Sequence, residues 1–246
     1  MEKALKAPTE LREWKIARGV NVHAEGSALV EAGATRVLCT ASVLHEVPAF
    51  LTGRGRGWVT AEYDMLPRST KDRRPRESRR GKPDGRSLEI SRLLGRALRA
   101  SVEADYLGER TIAVDCDVLQ ADGGTRTAAV NGAMVAVIEA LVWMKRKKLI
   151  PGVPLKSLVG AVSVGLVHGK ATLDLAYAED VDAEVDMNVV MTSEGRFVEV
   201  QGTGEKGTFD DAELGAMLAL ARGGIEKLFA IQKTALGPEL LAEAGL

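Results

Sequence analysis

Apolar residues in the first third of the chain fall into short runs enriched in β-branched side chains and punctuated by glycine and small residues. "EWKIARGV", "GSALVEAG" and "TRVLCTASV" read as successive strands. "RGRGWVTAEYDML" adds a Gly-Arg turn and another extended segment. The period changes at Ser87. Leu88, Ile90, Leu93, Leu94, Ala97 and Leu98 mark an apolar helical side, and Arg92, Arg96 and Arg99 a basic stripe. "TIAVDCDVL" is again a strand. The stretch from Thr127 to about Met144 is a helix apolar nearly all round, which predicts a central, buried position, and "KRKK" follows it where the helix dipole favours cations. "LVGAVSVGLVHG", "KATLDLAYA", "EVDMNVVMT" and "EGRFVEVQGTG" read as four more strands. A last helix begins near "FDDAELGAML", with Asp210 or Asp211 as N-cap, and runs to about Thr234, with Gly223-Gly224 its weak point. Grouped strands with helices between them predict an α+β fold with helices covering one sheet face, and the similar rhythm of the two halves is compatible with an internal duplication.

The 246 residues are enough for one large domain or two modest ones. No apolar run reaches the length of a bilayer span, so a membrane protein is not expected. The opening "MEKALKAPTELREW" lacks the layout of a signal peptide. Cys39 and Cys116, both in apolar strand-like runs, offer neither a disulfide framework nor a metal spacing; buried thiols in a reducing cytoplasm are expected. Charge is segregated. Pro67 to Arg86 holds seven Arg and two Lys against three acids, a local charge of +6 in a chain of net charge −1. Such a block is either a solvated loop or a basic site, and arginine's planar fork favours phosphate.

Two short stretches place an arginine where a helix dipole opposes it. "PDGRSLEI" and "ADGGTRTAAV" each run Asp, glycine, arginine, helix. An uncompensated cation there costs roughly 0.3–1 kcal/mol, and an anion between the helix end and the arginine reverses the sign. Gly124, Thr125 and Arg126 thus form a candidate cradle for a small oxyanion, closed by Arg86. The alternative is that Asp84 and Asp122 pair with the neighbouring arginines. No known nucleotide-loop pattern is present. Farther along, "AEDVDAEVDMNVV" carries Asp180, Asp182, Glu184 and Asp186. In one continuous strand Asp180 and Asp186 would stand about 20 Å apart, so joint action requires a bend near Asp182-Ala183. Such oxygens suit Mg²⁺ or Mn²⁺, or proton transfer, or simply an acidic surface turn. His23, His45 and His168 have no ligand spacing, and nothing marks a Ser-His-Asp or Cys-His enzyme.

Six blocks in order, "HAEGSALVEAGATRVLCTASV", "GWVTAEYDMLPRST", "GRSLEISRLLGRALRA", "GERTIAVDCDVLQADGGTRTAAVNGA", "EVDMNVVMTSEGRFVEVQGTG" and "MLALARGGI", resemble ribonuclease PH from about Leu11 to Leu236. The resemblance implies a single domain of duplicated β-α-β units like those of a ribosomal small-subunit protein, with mixed sheets and helices packed on them. It implies a cytoplasmic, phosphate-dependent 3′ to 5′ exoribonuclease that trims transfer RNA precursors, runs backwards as a nucleotidyltransferase and assembles as a homo-hexamer, a trimer of dimers. By position, Arg86 and Gly124, Thr125 and Arg126 fall on the family's site for inorganic phosphate, the co-substrate. Asp180 and Asp186 fall on its catalytic acidic pair, associated with Mg²⁺ (or Mn²⁺). Arg68, Arg73, Arg74 and Arg76 fall in the RNA-binding region. A non-catalytic RNA-binding ring subunit is the alternative expectation. The family's usual opening has Gly-Arg and an Asp ahead of Leu-Arg-Pro, where this chain reads "APTELREW", and "TAAVNGA" differs from the family's Ser- or Thr-containing version.

Overall fold

The computed structural model describes residues 6–76 and 84–246. Arg79, Arg80, Lys82 and Pro83 of the basic run lie outside the described residues.

The five expected strands of the first half form one sheet. Strands β1 (Trp14–Arg18), β2 (Gly26–Ala32) and β3 (Thr35–Leu44) make an antiparallel meander. Strand β5 (Thr111–Gln120) adds antiparallel to β3, and β4 (Trp58–Met65) adds parallel to β5 at the far edge, giving the order β1-β2-β3-β5-β4. The parallel β4–β5 pair requires a crossover, and helix α1 (Gly85–Ser101) supplies it. Cys39 and Cys116 face each other in the β3–β5 register as buried free thiols. In the second half β6 (Val159–Val167), β7 (Lys170–Leu173), β8 (Val185–Thr192) and β9 (Phe197–Thr203) form an antiparallel sheet ordered β7-β6-β8-β9.

Helix α1 and helix α2 (Thr125–Arg146) lie between the sheets and touch both, while α4 (Asp211–Ala244) packs on β6, β7, α2 and β1. Contrary to the expectation from run length, α2 is long and apolar enough to cross a membrane, but 89% of its most apolar stretch is buried inside the protein. It is the core helix its all-round apolar pattern predicts. Two polar side chains tie this layer to β6, whose outer edge is unpaired beyond β7. Asn131 Nδ2 donates to the Ala161 carbonyl at 2.8 Å. Gln232 Nε2 donates to the Val159 carbonyl at 3.0 Å and to Asn131 Oδ1 at 2.8 Å. Buried edge carbonyls are thereby satisfied.

Three expectations shift. Leu88, placed on the apolar side of α1, is exposed. Arg96 and Arg99 of the basic stripe are engaged: Arg96 binds Glu199 on β9, and Arg99 donates to the Val59 carbonyl and stacks over Trp58. The last helix does start from Asp210, through a capping box with Glu213, but it passes Gly223-Gly224 unbroken. The break comes at Gly237, φ 74° and ψ 164°, ahead of Pro238. Gly224 is instead a contact point, where an added Cβ would meet Leu173.

Candidate active site

The end of β5 and the start of α2 are joined by Ala121-Asp122-Gly123-Gly124. Gly123 and Gly124 have φ of +75° and +62°, which glycine adopts without strain. Gly124 is the N-cap of α2, and among the described residues no side chain caps the helix, which leaves its first-turn N–H groups available at the positive end of a 22-residue dipole. Thr125 is fixed by a 2.8 Å hydrogen bond between its hydroxyl and that of buried Tyr63, whose pKa burial pushes up.

Arg126 Nη1 donates to Gln201 Oε1 at 2.7 Å and lies 3.3 Å from the Glu89 carboxylate. Neither Asp84 nor Asp122 supplies this partner. Asp84 takes Arg74 at 3.3 Å, and Asp122 is used through its backbone, whose carbonyl accepts from Arg12. The adverse placement of Arg126 on the dipole is offset by Glu89, one turn beyond Arg86 on α1, so the first turns of α1 and α2 meet at one point.

The acids reach the same point because the chain bends as required. Asp180 stands on a short helix α3 (Tyr177–Asp182), and the backbone turns extended at Ala183 before β8 begins. Asp186 follows on β8. Register does the rest: Ser163, Asn188 and Gln201 align across β6, β8 and β9, and Gly165, Asp186 and Thr203 form the adjacent row. Side chains two apart on a strand share a face, so Asp186, Asn188 and Ser163 point together.

A cavity of about 140 Å³ is lined by Arg86, Gly124, Thr125, Arg126, Ser163, Asp180, Asp186, Asn188 and Glu205. All six residues expected at the phosphate and acid sites meet in it. The volume is small beside the roughly 300–1,000 Å³ of sites for drug-sized ligands, so it suits a small ion with the rest of a larger substrate outside. Burial, then Asp180, pushes the Asp186 carboxyl up to about 6, although Arg126 and Arg86 pull the other way. Burial and then Glu205 raise Asp180, against Arg86, Arg126 and Arg12. Two carboxyls held above their ordinary range and repelling each other would be relieved by a divalent cation, and oxygen donors suit Mg²⁺, which takes one or two carboxylates and completes its shell with water and phosphate. Among the described residues no cluster of three or more His, Cys, Asp or Glu has metal-binding geometry, so any such cation would rest on this pair.

Asp182 and Glu184 stay out of the cavity. Asp182 lines a separate recess, and Glu184 accepts the Gly169 N–H in a turn. Ser163, Asn188, Gln201, Glu89 and Glu205 were not anticipated. A lone hydroxyl in "GAVSVGL" and a lone amide in "DMNVV", each inside an apolar strand, were the available signals for the first two.

The basic segment is anchored beside the cradle, through Leu66 N–H on the Val118 carbonyl and Ala121 N–H on the Ser69 carbonyl, at 3.1 and 2.8 Å. Arg68, Arg73 and Arg76 are exposed. Arg74 differs: it is half-buried and bound to Met65 Sδ and Asp84. A larger concavity, about 690 Å³, crosses the open face of the first sheet. Its lining among the described residues includes Glu62, Asp64, Asp115 and Asp117 and neither Arg nor Lys, which gives that part of the surface an acidic character.

The fold is shared with several solved structures. The chain superposes on a subunit of the Archaeoglobus fulgidus exosome with RNA bound to its active site, with TM-score 0.77, 24% identity, and coverage of 93% of this chain and 91% of that one. Rice (Oryza sativa) Rrp46 gives 0.76 and 18%, over 94% and 97%. An archaeal exosome core subunit gives 0.73 and 22%, over 93% and 90%. Residues 10–142 match the model for domain 1 of the 3′ exoribonuclease family, and residues 157–224 match that for domain 2. The two matches in order, over a fold that converges on one oxyanion-sized cavity, establish that this chain belongs to the ribonuclease PH family of 3′ exoribonucleases.

Proposed function

We propose that this chain is a catalytically active phosphorolytic 3′ to 5′ exoribonuclease acting on the 3′ ends of transfer RNA precursors, reversible as a nucleotidyltransferase, and working as a homo-hexamer. The observation that carries this reading is the convergence of Arg86, Arg126, the uncapped start of α2, Asp180 and Asp186 on one cavity. A non-catalytic ring subunit has no use for an uncapped helix start, two arginines and two carboxyls raised by burial in the same small space. The structural neighbour with RNA at its active site lends the substrate class.

Hydrogen phosphate binds between Arg86, Arg126 and the N–H groups of α2. One of its oxygens attacks the phosphorus of the terminal 3′–5′ phosphodiester. The bond from that phosphorus to the 3′ oxygen of the preceding nucleotide breaks, and the proton lost by hydrogen phosphate ends on that oxygen. The products are a nucleoside 5′-diphosphate and an RNA one residue shorter. Asp180 and Asp186 would hold Mg²⁺ (or Mn²⁺), which supplies charge neutralisation at the transferring phosphoryl group. The protein contributes positioning and preorganised positive charge rather than a covalent intermediate. Since the phosphoanhydride of the product retains much of the bond energy, the reverse reaction is expected.

The test is an RNA with a single-stranded 3′ end, incubated with Mg²⁺ in the presence and absence of phosphate. Nucleoside diphosphates that appear only with phosphate support phosphorolysis. Monophosphates formed without phosphate would show a hydrolase instead, and no products a non-catalytic ring subunit. A transfer RNA precursor with a 3′ extension should be shortened faster than an unstructured RNA of equal length. Light scattering should give six times the 26.2 kDa chain mass.

A further inference from the structure

The N-terminal segment departs from the family's usual opening, yet one of its residues is built into the active-site framework. Arg12 and Asp174 form an ion pair at 2.7 Å, with 7% and 0% of their side-chain surfaces exposed. Asp174 is held in place from several sides. Its Oδ2 accepts from the Arg12 N–H at 2.9 Å and from Trp14 Nε1 at 2.7 Å, and its own N–H donates to the Ser163 carbonyl at 2.7 Å. Its φ of +54° turns the chain out of β7 toward α3. The other nitrogen of the Arg12 fork, Nη1, donates to the Asp122 carbonyl at 2.7 Å. An added Cβ at Gly124 would lie 2.7 Å from Arg12 Nη2, so the guanidinium lies directly behind the N-cap of α2.

Arg12 therefore spans two parts of the site that come from opposite halves of the chain. On one side is the loop Asp122-Gly123-Gly124, which shapes the phosphate cradle. On the other is Asp174, from which the chain continues through Leu175, whose N–H donates to Ser163 Oγ at 3.0 Å, to α3 and Asp180. The two sides touch closely: a Cβ at Gly123 would lie 2.5 Å from the Leu175 carbonyl and 2.7 Å from the Tyr177 nitrogen. The same segment is fastened to this second side elsewhere, by Lys6 Nζ on the Leu173 carbonyl and on Glu179, and by Leu173 N–H on the Pro8 carbonyl.

We propose that Arg12 is a positioning residue that sets the distance between the bound phosphate and the Asp180–Asp186 pair, by bridging the Asp122 carbonyl and the Asp174 carboxylate with the two ends of one planar fork. This rests on the phosphorolytic reading of the site. A lysine has the charge but a single nitrogen, and cannot reach two acceptors on opposite sides. The reacting atoms need near-contact alignment, and a misplacement of about 1 Å costs on the order of a hundredfold in rate.

The experiment compares Arg12→Lys with the wild-type chain in three measurements: kcat and KM for inorganic phosphate, affinity for single-stranded RNA, and the rise in Tm produced by a fixed concentration of inorganic phosphate. The expected result is a fall in kcat/KM for phosphate of about ten- to a hundredfold, a smaller phosphate-induced rise in Tm, and RNA affinity within about twofold of wild type. A uniformly structural role would lower the Tm without phosphate and leave the kinetics of the folded fraction and the phosphate-induced increment unchanged; that outcome overturns the proposal. If Arg12→Lys does not fold, Asp174→Asn and Trp14→Phe loosen the same bridge more gently, and unchanged kcat/KM for phosphate in both overturns it equally. Failure of the phosphorolytic reading shows separately, as a wild-type chain that makes no nucleoside diphosphate; the phosphate-induced rise in Tm then decides the fate of Arg12 alone.

Discussion

Replacing Asp186 by asparagine should stabilise the protein while abolishing its activity. Burial and the neighbouring Asp180 raise the Asp186 carboxyl from 3.8 to about 6. At 1.36 kcal/mol per pKa unit, keeping it ionised in the folded state at pH 7 costs up to about 3 kcal/mol, less whatever solvent screens at its partly exposed edge. The sign follows from linkage. A carboxyl whose folded pKa is raised favours the folded state fully only below its unfolded pKa, near 3.8, and that contribution is lost as pH rises through about 6. Asparagine has nearly the same shape and no charge. In phosphate-free buffer with a chelator, at fixed protomer concentration, urea unfolding should therefore show Asp186→Asn more stable than wild type by about 2–3 kcal/mol at pH 7, with the difference shrinking below about 1 kcal/mol near pH 4. A variant less stable than wild type at pH 7, or a difference independent of pH, would refute the reasoning. The same variant should make no detectable nucleoside diphosphate.

Other consequences can be checked in parallel. In the metal-free protein a proton competes for Asp186 below about pH 6, so Mg²⁺ affinity measured by calorimetry should be flat above pH 7 and fall by up to about tenfold per unit below 6; a flat profile down to pH 5 removes Asp186 from the metal site. Arg126→Ala should raise KM for phosphate at least about tenfold, the order expected for losing one charge-assisted contact, with RNA affinity nearly unchanged in a filter-binding assay. Arg73→Ala with Arg76→Ala should do the reverse, reducing the slope of log affinity against log salt by about 0.7 per lost single-strand phosphate contact. Arg74→Ala should chiefly lower the melting temperature, because Arg74 is tied to Asp84 at the start of α1; a loss of salt slope equal to that of Arg73 would contradict this assignment.

Acidic and basic partners at this site are separated in sequence but not in chemistry, which is why the two halves of the site could be found independently. A helix start that carries an arginine against the helix dipole is a local anomaly, visible at Arg86 and Arg126 without any tertiary information. The paired glycines before Thr125 have a local cause as well, since consecutive positive φ angles are a property of the residues themselves. The strands, the buried α2 and the capping box at Asp210 follow from periodicity and short-range hydrogen bonding in the same way. The continuation of α4 past Gly223-Gly224 did not, because packing against Leu173 outweighs the weak helix propensity of glycine.

What the sequence by itself determined, then, is most of what has its energy within a few residues: the main strands and helices, the two cationic helix starts and the block of arginines; the short helix α3, which begins inside the stretch "KATLDLAYA" that reads as extended, was not among them. The tertiary structure decided which of these meet. The row Ser163–Asn188–Gln201 exists only through strand register, which depends on packing across three strands. Glu89 acquires its meaning only when α1 crosses α2. Arg12 and Asp174, 162 positions apart in the chain, become a pair only when the N-terminal segment folds over the second half, and no local pattern marks a contact whose energy comes from burying both partners together.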